Sequence, residues 1–264
     1  MPLRTVTATR YVTPLREGGS LPAIVEGSDD GLYVLKFRGA GQGPKALIAE
    51  LVAGELARAA GLNVPEIVFM QLDAELARTE PDAEIQDLIR ASAGLNLALD
   101  YLPGSVTFDP LLGPLLGDLD ADLASAIVWH DAYTSNVDRS ARNTNLLLWH
   151  RRLWLIDHGA ALVFQHAGGD FGAKAASPFA AIASHVLLPW ASRLRQADER
   201  LTAMLTPQVI ADIVALIPDG WLSADAAEGS VAEQRAAYLN YFTARLAAPR
   251  HFVQEAQRGA AQQL

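Results

Sequence analysis

Three polar residues between positions 138 and 157 have the types and spacing that phosphoryl transfer requires. Asp138 and Asn143 lie five positions apart in the segment DRSARN, and Asp157 ends the apolar segment LWLID. Transfer of a phosphoryl group to a hydroxyl needs a carboxylate that orients or deprotonates the acceptor, and oxygen ligands that hold Mg²⁺ against the nucleotide phosphates. Asp138 is the candidate for the first role. Asn143 and Asp157 are the candidates for the second.

The order and offsets of these residues match the catalytic segment of protein kinases. There a catalytic Asp is followed by an Asn five positions later, and a second Asp stands two positions before a Gly. Asp157 stands in the same relation to Gly159. An isolated pair of Asp and Asn is common in loops, because both residues favour turns. Its combination with a hairpin that ends in Asp-x-Gly is far more specific.

Two arginines flank Asp138 in the same segment. A guanidinium at Arg139 or Arg142 can neutralise phosphate charge or pair with Asp157. We keep Arg142 as a catalytic candidate, with a solvated loop arginine as the equal alternative. For Arg139 the sequence favours a structural role.

A lysine in the N-terminal part is the candidate for phosphate binding. Lys36 interrupts the apolar strand pattern YVLKF, and such a lysine must reach solvent or an opposite charge. In kinases the opposite charge comes from the nucleotide phosphates and a helix Glu. The helix that follows offers Glu50, among small residues, and Glu55, on the large apolar arc. Spacing does not choose between the two.

The elements that must position these residues divide into two regions. Residues 1–97 have strand patterns and one strong helical pattern, which predicts an N-terminal lobe with an antiparallel sheet plus a helix. Residues 98–104 form an apolar extended segment with Pro-Gly, which predicts a hinge. Residues 105–264 are predicted to form a mainly helical C-terminal lobe, with a hairpin whose tight turn lies at Arg151–Arg152. The predicted fold class is α+β, with two lobes.

A glycine-rich turn precedes the second predicted strand. Gly18, Gly19 and Ser20 are candidates for covering the nucleotide phosphates, because glycine lets backbone N–H groups approach an anion closely. A plain hairpin turn is an equal alternative.

Composition excludes several classes of function. The net charge is −9 and no segment concentrates Lys or Arg, so we expect no nucleic-acid partner. The absence of Cys excludes disulfides, thiolate metal sites and a Cys nucleophile. Neither H-E-x-x-H nor G-x-S-x-G occurs. The N-terminal segment lacks the apolar core of a signal peptide and no apolar run would span a membrane, so we expect a cytoplasmic protein.

Several segments together resemble the HipA-like kinase family and, more distantly, the phosphatidylinositol kinases. The resemblance runs from about Arg16 to Phe164, over half of the chain. The segments that carry it stand in family order: REGGSLP, YVLKF, the helix of Glu50, YLPG, DRSARN and IDHG. It implies a two-lobed kinase fold that binds ATP and Mg²⁺ between its lobes.

The resemblance also implies roles for individual residues. Lys36 would bind the phosphates with Glu50 as its ion-pair partner, which favours Glu50 over Glu55. Asp138 would be the catalytic base. The implied metal ligands are Asn143 and Asp157, and the implied nucleotide-binding residues of the hinge are Asp100, Tyr101 and Leu102.

Two positions depart from the family pattern. Ser140 stands where many relatives have His in the catalytic loop, and His158 replaces the usual residue of the metal-binding motif.

From the motifs and the resemblance we expect an ATP-dependent kinase of the EC 2.7 class with an unidentified hydroxyl acceptor. The alternatives are a pseudokinase that acts as a nucleotide-binding regulatory scaffold, and a kinase-like protein that transfers a nucleotidyl group.

Overall fold

The N-terminal strands close on themselves into a small barrel. The structure is a computed structural model that describes residues 2–15, 21–41, 43–111, 120–166, 171–222, 229–247 and 249–262. The barrel strands are β1 (Thr5–Pro14), β2 (Ala23–Gly27), β3 (Leu32–Lys36), β4 (Ile67–Leu72) and β5 (Gly94–Asp100). Their spatial order is β1-β2-β3-β5-β4.

The barrel closes through an unpredicted parallel pairing. β1 pairs antiparallel with β2 and parallel with β4, with Val6 opposite Met70. The remaining pairings are antiparallel, as the sequence predicts. Alternation of residue types identifies strands but not their partners, which is why the parallel contact could not be read from the sequence.

Apolar side chains fill the barrel because successive strand residues face opposite sides. Val6, Val25 and Leu35 lie in this interior, and the short helix α2 (Ala83–Ala91) packs against it through Ile85 and Ile89. This core is separate from the larger core that joins the two lobes.

Helix α1 (Pro44–Ala59) lies between the barrel and the helical lobe. It begins with Pro at its first position, where a missing N–H costs nothing. It ends before Gly61, which has φ 78°, and the Leu62 N–H donates to Ala57 O at 3.0 Å. Gly61 therefore ends the helix in the left-handed conformation typical of a C-terminal cap. Because both lobes pack on α1, its residues 47–54 are all buried, and Glu50 is among them.

Helices make up most of the second lobe, as predicted. The longer ones are α3 (Ala121–Thr134), α5 (Leu194–Met204), α6 (Pro207–Val214), α8 (Val231–Leu246) and α9 (His251–Ala261), and the short ones are α4 (Phe171–Ala175) and α7 (Asp219–Leu222). Thr206 caps α6, since its Oγ1 accepts from the Val209 N–H at 3.3 Å. Within the described residues, no helix has both the length and the apolar composition of a membrane span.

A small sheet at the edge of the second lobe carries the predicted hairpin. Its strands are β6 (Val106–Thr107), β7 (Leu146–Trp149) and β8 (Arg152–Leu155). The turn lies at His150 and Arg151, not at Arg151–Arg152, because Arg152 already pairs with Trp149. His150 and Arg151 have φ 47° and 62°, the positive values of a two-residue turn that matches the twist of a hairpin.

The connection between the lobes begins with the last strand of the barrel. β5 extends through Asp100, so its last three residues fall within the segment predicted as the hinge. The Tyr101 N–H then donates to Leu32 O at 2.9 Å, and the Trp149 indole N–H donates to Pro103 O at 2.9 Å. These two bonds attach the connection to a strand of each lobe.

Candidate active site

Lys36 connects the two lobes at the candidate site. Lys36 is the last residue of β3 and is 8% exposed. Its Nζ lies 2.6 Å from Asp157 Oδ1 in the second lobe and 3.6 Å from Glu50 Oε2 in α1. We call Lys36, Glu50 and Asp157 the Lys36 cluster. Burial opposes its charge, but the two carboxylates raise the pKa of Lys36 above its usual value.

The structure distinguishes between the two glutamates of α1. Glu50 is 1% exposed and its Oε1 accepts from the His158 N–H at 3.1 Å. Burial opposes ionisation, but Lys36 and His158 together lower the pKa of Glu50 to about 2. Glu55 instead pairs with Arg58 at 2.9 Å on the outer side of the helix. Only Glu50 of the two therefore lies at Lys36.

Asp157 stands where the hairpin leaves β8. Its φ is 53°, in the left-handed region that Asp and Asn tolerate better than most residues. The preceding residue, Ile156, donates its N–H to Asn145 O at 3.1 Å. Asp157 is thus held beside the residue that enters the opposite strand.

Two asparagines contact Asp138. Asn143 donates from Nδ2 to Asp138 Oδ2 at 2.9 Å and is exposed. Asn145 donates from Nδ2 to the main-chain oxygen of Asp138 at 2.6 Å and to its Oδ2 at 3.2 Å, and is 9% exposed. The buried amide is the more firmly held of the two.

Asn145 is a further candidate site residue, which the spacing of the motif did not indicate. The available signal was the position of Asn145 immediately before β7, two residues beyond Asn143. Leu146 pairs with Leu155 in the hairpin, so the residue before β7 must lie opposite the residues that follow β8. Hairpin register therefore places Asn145, rather than Asn143, next to the segment that leads into Asp157.

The two arginines of the catalytic segment occupy different environments. Arg142 is exposed and forms no hydrogen bond or ion pair with any described residue, so the structure does not bring it to a partner. Arg139 is 2% exposed and its Nε donates to Asp131 Oδ2 at 2.5 Å. The structural role expected for Arg139 agrees with this burial.

The predicted nucleotide-binding residues of the hinge lie at the end of β5 and just beyond it. The Asp100 and Tyr101 N–H groups donate to main-chain oxygens of Glu66 and Leu32. Leu102 is 4% exposed, and no described residue accepts from its N–H. Gly18, Gly19 and Ser20 lie outside the described residues.

The donor set fits a hard divalent cation shared with phosphate. Asp157 offers a carboxylate and the asparagines offer amide oxygens, and Mg²⁺ usually takes one or two such ligands together with substrate phosphates. Within the described parts of the chain, no group of three or more His, Cys, Asp or Glu side chains could hold a metal ion.

Comparison with known proteins identifies relatives by sequence profile and by structure. The chain matches the HipA-like kinase family over residues 9–252. No curated protein matches its sequence. The crystal structure of the Helicobacter pylori proinflammatory kinase CtkA aligns with a TM-score of 0.57 at 13% identity and covers 99% of each chain.

Two crystal structures of the Golgi casein kinase, one with Mn/ADP bound, align with a TM-score of 0.48 each. Their identities are 12% and 13%, and the alignments cover 97% and 98% of this chain and 72% and 75% of theirs.

The similarity to CtkA along the whole chain confirms the predicted two-lobed, kinase-like α+β fold. The family match supports a kinase-like phosphotransferase activity and confirms the resemblance seen in the sequence. Because the match includes most of the sequence, the chain belongs to the HipA-like kinase family.

Proposed function

We propose that the chain transfers the γ-phosphate of Mg-ATP to a hydroxyl acceptor. The observation that carries this proposal is the Lys36 cluster. One buried ammonium lies between a helix carboxylate of the N-terminal lobe and a carboxylate at the end of β8. Phosphoryl transfer depends on positioning and on charge stabilisation, so a fixed positive charge between the lobes is what the reaction needs.

Lys36 is assigned to the nucleotide phosphates. Its raised pKa keeps the ammonium charged at neutral pH. Glu50 cannot leave this position easily, since its carboxylate is buried and also accepts from His158. The buried glutamate therefore keeps one carboxylate beside the ammonium of Lys36, while the partly exposed Asp157 is the partner that phosphate oxygens can replace.

Asp157 and an asparagine oxygen are assigned to the metal ion. A bound divalent ion would neutralise charge on the β- and γ-phosphates. Asn143 was the candidate from spacing. The geometry favours Asn145, because it is buried and its main-chain oxygen accepts from Ile156, the residue before Asp157, whereas Asn143 is exposed.

Asp138 is assigned to the acceptor hydroxyl. Its Oδ2 accepts from Asn143 and Asn145, and no described residue donates to its Oδ1. The carboxylate is thus held at one oxygen and can accept a proton from a hydroxyl at the other. Arg142 remains a candidate for contact with the transferred phosphoryl group, and the Leu102 N–H remains a candidate for contact with the adenine ring.

The experiment uses ATP labelled at either the α- or the γ-phosphate, with Mg²⁺. The acceptors are the chain itself, a peptide mixture and water. We expect label to be transferred from the γ position only, and transfer to be lost in Asp138→Ala and Lys36→Met. Asp87→Ala, on the exposed face of α2, is the matched control and should retain transfer.

The other results replace this proposal with a different one. Transfer of the α-label would assign nucleotidyl transfer. ATP-dependent thermal stabilisation without transfer to any of the three acceptors would assign a nucleotide-binding scaffold.

A further inference from the structure

We propose that the buried Asp131 is a positioning residue for phosphoryl transfer, because its carboxylate holds both ends of the catalytic segment. This inference rests on the proposed function. Asp131 lies in α3 and is fully buried. Its Oδ1 accepts from Asn136 Nδ2 at 3.0 Å, and its Oδ2 accepts from Arg139 Nε at 2.5 Å and from His185 Nε2 at 2.8 Å. We call these four residues the Asp131 network.

The first connection leads to Asp138 through the amide of Asn136. The Asn136 Nδ2 donates to Asp131, and the Asn136 Oδ1 accepts from the Asp138 N–H at 3.1 Å. The Asn136 N–H also donates to the main-chain oxygen of Asp131 at 2.9 Å. The nitrogen and the oxygen of the Asn136 side-chain amide are thus both bonded. The buried carboxylate of Asp131 therefore determines where the main chain of Asp138 lies.

The second connection leads to the hairpin through the guanidinium of Arg139. Its Nη1 donates to Asn145 O and, at 3.4 Å, to Ile156 O. These oxygens belong to the two residues at the base of the hairpin, directly before β7 and directly before Asp157. Arg139 therefore links Asp131 to the side of the site that carries the proposed metal ligands.

His185, in a segment distant in sequence, forms a further hydrogen bond with the Asp131 carboxylate. Its Nδ1 accepts from the Leu187 N–H at 3.0 Å, so the ring proton is on Nε2 and is donated to Asp131. The Val186 N–H donates to Arg139 O at 3.0 Å, which fastens the same segment to the catalytic loop. Burial lowers the pKa of His185, which keeps the ring neutral.

The charge balance of this network is one carboxylate against one guanidinium. Burial opposes the charge of Asp131, but Arg139 and His185 hold its pKa below the usual range. A buried ion pair is weak support for stability, and its better attested use is to select one conformation. In the Asp131 network every described hydrogen bond of the Arg139 side chain ends on α3 or at the hairpin base. The network therefore fixes geometry at the site without touching nucleotide or acceptor.

The test compares Arg139→Lys and Asn136→Ala with wild type. Lysine keeps the charge at position 139 but cannot span Asp131 and the hairpin base, since it lacks the planar fork. Misplacement of reacting groups by about 1 Å can cost on the order of 10²-fold in rate. We expect each variant to lower kcat by about 10²-fold, to leave KM for ATP within about threefold, and to speed hydrogen exchange in residues 136–146.

Two further variants separate positioning from general stability. Arg250→Lys makes the same substitution at another Arg–Asp pair of the second lobe and should change neither kcat nor exchange at 136–146. His185→Gln keeps an N–H donor for Asp131 and should retain more activity than His185→Ala. Unchanged kcat and exchange in Arg139→Lys would overturn the inference, as would a kcat loss that matches the loss of folded protein.

The phosphate-transfer assay tests the proposed function, and the hydrogen-exchange measurement tests the Asp131 network separately. If wild-type protein transfers no phosphate, the proposed function fails, and the exchange measurement still decides whether Asp131 holds the segment. Faster exchange limited to residues 136–146 would then support the network as a holding device, and unchanged exchange would refute it.

Discussion

The Lys36 cluster and the Asp131 network both bring opposite charges together, yet they are built differently. The first joins two lobes through one flexible side chain whose Nζ lies 2.6 Å from Asp157 and 3.6 Å from Glu50. The second lies within one lobe and uses a guanidinium, an imidazole and an amide, all planar groups. An ammonium can rotate among acceptors, whereas planar donors must keep their direction.

This difference indicates which part of the site can adjust and which part is fixed. Asp157 is partly exposed, with 36% of its side chain accessible, whereas Asp131 and Arg139 have none. Phosphate and metal can therefore reach the Lys36 cluster and rearrange its partners. The Asp131 network is closed to solvent, so water does not compete for its hydrogen bonds.

Asp131→Ala should reduce the stability of the protein more than any change in the Lys36 cluster. It leaves the Arg139 guanidinium buried without a countercharge, which costs about 3–5 kcal/mol. Urea denaturation monitored by tryptophan fluorescence measures this loss in the free energy of unfolding.

Its control removes a more exposed carboxylate of the same helix, α3. Asp122 pairs with Arg193, and both side chains are about half exposed, so Asp122→Ala should cost about 0–1 kcal/mol. An equal loss in the two variants would contradict the view that the Asp131 network is the fixed part of the site.

Ionisation of Glu50 in the Lys36 cluster should make the free energy of unfolding depend on pH. The pKa of Glu50 is about 2 in the folded protein and about 4.5 ordinarily, so its contribution is complete above about pH 4.5 and is lost as pH falls towards 2. A difference of this size corresponds to on the order of 3 kcal/mol. We expect Glu50→Gln to flatten the decline in the free energy of unfolding between those pH values.

Glu55→Gln is the matched control for this measurement. It changes a glutamate of the same helix that pairs with Arg58 nearer the surface, and should alter stability by less than about 1 kcal/mol. If it flattened the acid decline as much as Glu50→Gln, the assignment of Glu50 to Lys36 would be wrong.

Local sequence rules predicted the elements that carry the site. Gly61 lies just past the end of α1 and Thr206-Pro207 marks the start of α6, and both are signals that depend only on residues within one turn. The strands of the barrel followed from alternation. The hairpin was predicted with its turn displaced by one residue, since side-chain alternation does not fix where positive φ values fall.

Contacts between distant segments could not be predicted in the same way. Glu50 and Glu55 are both plausible partners of a lysine until the packing of α1 is known. His185 lies in a segment without regular periodicity, and its bond to Asp131 spans 54 positions. Nothing local to either residue indicates this pairing, so the Asp131 network appears only in the folded structure.

Substitutions of Asn143 and Asn145 test where the fixed Asp131 network ends and the adjustable part of the site begins. Asn145 touches both, since its side chain binds Asp138 and its main-chain oxygen accepts from Arg139. Asn143 touches only Asp138 through its side chain and is exposed. Spacing and the family resemblance made Asn143 the candidate metal ligand, whereas the hairpin register places Asn145 beside the residue that precedes Asp157 and makes it the proposed ligand.

Asn145→Ala should therefore raise the concentration of Mg²⁺ needed for half-maximal transfer more than Asn143→Ala does. Loss of the proposed oxygen ligand and of two bonds to Asp138 should lower the ratio of kcat to this Mg²⁺ concentration by roughly 10²-fold in Asn145→Ala, the scale of a single lost charge-stabilising contact. For Asn143→Ala we expect the same ratio to fall by less than about tenfold. Titration of Mg²⁺ at saturating ATP measures both variants together. The reverse order would return the metal to Asn143, and would mean that the buried amide belongs to the fixed part of the site alone.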